Sequence, residues 1–110
     1  MLNMHPERTI VTRGLRLESV ETIEIVGPFD CIDEQVSQLA KQIIDEGAKD
    51  VAFDLRKTSY LTSSGIATMI KVLKKIQQAQ GTLSLIGATN DMLGLIKMAR
   101  LDKYITIVNS

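Results

Sequence analysis

The spacing of apolar residues changes from stretch to stretch along the chain, and each spacing predicts an element. Val51 to Leu55 is a short apolar run interrupted by Asp54 and bounded by Lys49-Asp50 and Arg56-Lys57, the pattern of an interior strand. From Ile66 the apolar residues fall at 66, 69, 70, 73 and 76, with Lys71, Lys74, Lys75, Gln77 and Gln78 on the other face. That spacing predicts a helix from about 64 to 80, stopped by Gly81. An earlier helix shows Val36, Leu39, Ala40, Ile43 and Ile44 on one face, with Asp33 and Glu34 suited to its first turn and Gly47 to its C-cap. A third opens at Asn90-Asp91 and carries Met92, Leu93, Ile96 and Ala99. Gly94 weakens it by roughly 1 kcal/mol relative to alanine.

The remaining apolar stretches read as strands. Thr9 to Glu18 alternates weakly, with Gly14 as a bulge, kink or turn. Val20 to Val26 alternates more clearly and is ended by Gly27-Pro28; the short link between the two favours an antiparallel pair. Leu83 to Ile86 and Tyr104 to Val108 are the last two, and the residues between Leu55 and Thr62 read as a short polar connection. The order is β-β-α-β-α-β-α-β, an α/β chain with one mixed sheet. After the opening pair, strand and helix alternate, which predicts parallel pairing through right-handed crossovers. One domain accounts for residues 1–110, with 1–8 as a loosely structured start around Pro6.

Length and composition narrow the partners. At 110 residues, a single domain buries roughly two thirds of its unfolded surface. Thirteen basic and thirteen acidic side chains balance, so the chain lacks the basic excess of a nucleic-acid or anionic-membrane binder. The lone cysteine, Cys31, excludes an intrachain disulfide and fits a reducing cytosol. The first residues lack the apolar core of a secretory signal, and no apolar run approaches the ~20 residues needed to cross a bilayer. A cytoplasmic protein without direct membrane insertion is expected.

Chemistry concentrates where the central helix begins. Thr62, Ser63 and Ser64 lie where backbone N–H groups lack intrahelical partners and the helix dipole presents its positive end. One reading is a helix cap, worth about 1 kcal/mol. The other is a surface serine able to carry a phosphate, which helix N-termini accommodate. The two are compatible, because one hydroxyl can cap while its neighbour faces solvent. Gly65 either lets a partner approach the backbone or is permissive at a helix start. Hydrolysis by an activated serine would need a base, yet His5 is the only histidine and no Gly-x-Ser-x-Gly elbow is present. No Cys/His set offers a metal site. Neither catalysis nor a cofactor is expected. Lys71, Lys74 and Lys75 read as a solvated helix face, and Met69, Met92 and Met98 as core or near-core filler. Asp30 and Asp54 read as ordinary strand-end or loop acids.

Asp54-Leu55 followed by Tyr60-Leu-Thr-Ser-Ser-Gly-Ile66 resembles the signature of STAS domains, specifically the bacterial anti-sigma factor antagonists. Supporting matches are Gly27-Pro-Phe-Asp30 and Leu83-Ser-Leu-Ile-Gly87 followed by Leu101-Asp102-Lys103, so the resemblance spans Ile10 to Val108. It implies a single STAS domain, with Ser64 at the phosphorylated position and Ser63 as the runner-up. It places Asp30, Thr62, Ser63, Ser64 and Gly65 at the partner surface. Thr62 departs from the pattern, standing where the family usually has an acid. The implied cycle is partner switching. The unphosphorylated protein binds an anti-sigma factor that is also a serine kinase, freeing a sigma factor; phosphorylation ends the complex and a serine phosphatase restores it. The alternatives are a STAS scaffold in a stress-signalling assembly or a subunit of a transport complex.

Overall fold

Alternation along the strands decides which way the sheet buries its side chains. The computed structural model describes residues 8–16, 18–30 and 34–108. Its elements are β1 (Ile10–Arg13), β2 (Val20–Phe29), α1 (Glu34–Asp45), β3 (Asp50–Asp54), β4 (Thr58–Leu61), α2 (Ser63–Gln78), β5 (Thr82–Ile86), α3 (Asn90–Met98), a 3-10 turn at Leu101–Lys103 and β6 (Ile105–Val108). The sheet runs β1-β2-β3-β5-β6, with β4 paired to β2 off this path. Among the described residues β1 and β2 pair antiparallel and the other pairs are parallel. The expected mixed sheet and its element order are found, with one strand added.

Register aligns Ile23, Phe53, Leu85 and Ile107 across four strands, and Val51, Leu83 and Ile105 two residues away. Residues two apart share a face. These side chains therefore meet Val36, Ala40 and Ile43 of α1 and Met69, Val72 and Ile76 of α2 in one core. Ile66 and Leu73 are buried there too, and Ile70 packs against its edge. Phe29 and Phe53 meet edge to face with centroids 5.8 Å apart, a geometry favoured by the ring quadrupoles. The opposite row, Thr22, Ala52, Ser84 and Thr106, is short or polar.

Several expectations are corrected. The polar connection after Leu55 contains β4: Thr58 and Leu61 are buried, Ser59 and Tyr60 exposed. The Thr58 hydroxyl donates to the Ile25 carbonyl at 2.7 Å. Gly27-Pro28 does not end β2. The strand continues to Phe29, with a register shift against β4 between Gly27 and Phe29. Gly27 sits there at φ +94°, a conformation that L side chains rarely adopt, and a Cβ on it would collide with the Arg8 carbonyl. β1 covers only Ile10–Arg13, and Gly14 lies just beyond it, donating to the Thr22 carbonyl at 2.9 Å. α2 ends at Gln78 and β6 starts at Ile105, leaving Tyr104 exposed. Met98 is 82% exposed and Ala99 also faces solvent, so neither belongs to the core. Of the loose start expected at 1–8, residues 1–7, His5 among them, lie outside the described residues, as do Cys31 and Asp33.

Candidate functional site

Three chain segments converge where α2 begins. The end of β2 brings Phe29 opposite Leu61 of β4, which leads directly into Thr62. The Thr62 N–H donates to the Phe29 carbonyl at 3.1 Å, tying the helix start to the strand end. Thr62 is extended (φ −118°, ψ 175°) and its hydroxyl accepts from the Gly65 N–H at a long 3.5 Å. Its carbonyl accepts the Ile66 N–H at 3.0 Å. Of the three hydroxyl residues at the helix start, Thr62 is therefore the cap, and it satisfies one of the orphan donors of the first turn.

With the cap assigned, Ser63 and Ser64 occupy the first two helical positions, and both are exposed. Gly65 is buried, and the backbone that comes close to it belongs to the chain itself. A Cβ on Gly65 would run into the Phe29 carbonyl and lie 2.9 Å from Leu61 Cδ1. The absence of a side chain lets the first turn of α2 sit directly on the end of β2. Beside this turn, Asp30 is exposed and accepts a hydrogen bond from the Tyr60 hydroxyl at 3.2 Å. Tyr60, which opens the signature but was not expected at the site, joins it through this bond. Its partner lies 30 residues away and is brought near only by the β2–β4 pairing. Thus two stretches of chain meet at the helix start: Asp30 at the end of β2, and Tyr60, Thr62, Ser63 and Ser64 across the β4–α2 junction.

Asp54 has a different role. Its carboxylate takes a two-pronged pair from Arg56, Nε at 2.9 Å and Nη2 at 2.7 Å, plus the Arg56 N–H at 3.1 Å. These bonds hold its pKa below the ordinary carboxylate range. The pair rigidifies the exit of β3 and leaves Asp54 structural. Among the described residues no group of three or more His, Cys, Asp or Glu could hold a metal ion, and no helix is long and apolar enough to cross a membrane.

This mixed sheet of six strands with three helices is the fold of a STAS domain. The STAS domain family matches residues 16–110, and the chain belongs to that family. Solved structures similar in fold include the anti-sigma factor antagonist SpoIIAA of Bacillus in two forms. The unphosphorylated form gives a TM-score of 0.68 at 14% identity over 92% of this chain and 89% of that one. The phosphorylated form gives 0.69 at 16% identity over 90% and 91%. A sulfate transporter family protein from Wolinella succinogenes gives 0.64 at 18% identity over 84% and 80%. No curated protein matches in sequence.

Proposed function

We propose that this chain is an anti-sigma factor antagonist whose partner binding is switched by phosphorylation of Ser64. The observation that carries the reading is the division of labour at the start of α2. Thr62 caps the helix, so the exposed Ser64 hydroxyl is not needed by the fold. In the unphosphorylated state the surface formed by Asp30, Thr62, Ser63 and Ser64, seated on Gly65, binds an anti-sigma factor that is also a serine kinase. A sigma factor is thereby freed in the cytoplasm. The kinase transfers a phosphoryl group to Ser64, and a serine phosphatase removes it.

The physics is local. A phosphoserine carries about −1.5 to −2 charges onto a surface that must be desolvated on binding. The orphan N–H groups and dipole of α2 stabilise that charge, so the fold survives while the interface fails. A penalty of only about 3 kcal/mol shifts affinity more than a hundredfold.

Binding measurements with the anti-sigma partner test the reading. Ser64→Ala should retain affinity, and Ser64→Asp should weaken it in the direction of phosphate but less, since a carboxylate carries less charge. Equal affinity of both variants would count against a Ser64 switch. The fold likeness to the Wolinella protein, and Thr62 in place of the usual acid, favour a second reading. In it, the domain is a scaffold or a transport-complex subunit that binds partners without a phospho-switch.

A further inference from the structure

The two edges of the sheet are finished differently. β1 carries Arg13, whose guanidinium lies 3.3 Å from Glu21 and 2.8 Å from Glu46. A charged side chain on an edge strand hinders the addition of a further strand. β6 reads Ile-Thr-Ile-Val, with no charge, proline or glycine. It pairs with β5 on one side, and among the described residues no strand lies on its other side. Such an edge leaves N–H and C=O groups without a ladder partner, and all its residues are β-branched, which suits them to pairing.

The side chains along this edge match themselves in reverse. Tyr104, just before the strand, is 60% exposed; Val108, at its end, is 41% exposed, and Thr106 between them also faces solvent. Ile105 and Ile107 lie on the core face, Thr106 and Val108 on the opposite one. An antiparallel copy of β6 centred on Thr106 sets Thr106 against Thr106, and Ile105 against Ile107 in two symmetric places. It also brings the Tyr104 end of each copy to the Val108 end of the other, so the exposed apolar groups cover one another. Opposed residues point to the same face, so this register continues the core-facing row of one sheet into that of the next.

We propose that the chain associates with a second copy of itself by antiparallel pairing of two β6 strands about a twofold axis at Thr106. The interface is isologous and closes on itself, so it yields a dimer and not a filament. Thr–Thr and β-branched pairs across strands favour it, and no like charges within β6 face each other. A strand of another protein would have to supply the matching pattern, whereas β6 supplies it to itself. So short a strand makes a small interface, and the dimer is weak and reversible. β6 lies three strands from β2, roughly 14 Å across the sheet, so the proposal stands or falls independently of a Ser64 switch.

Sedimentation velocity and amide chemical shifts of the full chain from about 10 μM to about 1 mM test it, the range in which small interfaces associate. The average mass should rise toward that of a dimer, and the concentration-dependent shifts should concentrate at residues 104–108. Thr106→Lys and Thr106→Glu each oppose like charges at the axis and should weaken association about tenfold or more. An equimolar mixture of the two variants should restore it, because lysine then faces glutamate. Thr12→Lys, on the β1 edge, should leave it unchanged. A wild-type chain that stays monomeric up to about 1 mM would overturn the proposal and leave the edge to a strand of another protein. Association that survives both Thr106 variants, that is lost in Thr12→Lys, or that the mixture fails to restore would overturn it as well.

Discussion

α2 and α3 begin in the same way and then diverge within one turn. Each starts behind an extended threonine whose hydroxyl accepts from the N–H three residues on, Thr62 from Gly65 at 3.5 Å and Thr89 from Met92 at 3.2 Å. At the second helical position α3 carries Asp91, whereas α2 carries Ser64 and has no acid in its first turn. At the third, α3 buries Met92 in the core, whereas α2 has Gly65 pressed on the Phe29 carbonyl. A permanent carboxylate complements the dipole of α3. At the equivalent place in α2 there is a neutral hydroxyl, where the proposed phosphorylation would add charge. The two helices share a threonine cap and differ in the charge of the residue that follows it in the first turn.

Substitutions that exchange these features should separate the two helices, and urea denaturation midpoints read the result. The largest effect is expected from Gly65→Ala. Its Cβ meets backbone, which cannot step aside cheaply, so overpacking should cost about 1–3 kcal/mol despite the better helix propensity of alanine. A neutral Gly65→Ala would mean that the start of α2 is not held on the end of β2. Next come the caps. Thr89→Ala and Thr62→Ala should each cost about 0.5–2 kcal/mol, with Thr62→Ala the smaller because its bond is longer. The smallest effects concern charge. Ser64→Asp should stabilise the protein by about 0.3–1 kcal/mol, and Asp91→Ser should destabilise it by a similar amount. Ser64→Ala should stay within about 0.5 kcal/mol of wild type. A larger loss in Ser64→Ala would make Ser64 part of the cap and remove the contrast with α3.

The features that were legible in sequence are those carried by local period and local chemistry. The 3.6-residue spacing from Ile66 located α2, and the hydroxyl run before Gly65 located its start. What escaped depends on distant chain. β4 is four residues long, and its buried Thr58 and Leu61 flank two exposed residues, so no alternation marks it. The Tyr60–Asp30 bond exists only because β4 lies beside β2. Met98 follows the buried Ile96 by two residues, about 160° round the helix from it, and is exposed. Choosing the cap among Thr62, Ser63 and Ser64 required the backbone, since each hydroxyl is chemically able.

The central claim is that Ser64, uninvolved in capping, is the residue that receives phosphate. Phosphosite mapping by mass spectrometry after incubation with the cognate anti-sigma kinase addresses it directly. The account predicts phosphate on Ser64 in the wild-type chain and none on the Ser64→Ala chain. Phosphate on Ser63 or Thr62 and absent from Ser64 would contradict it.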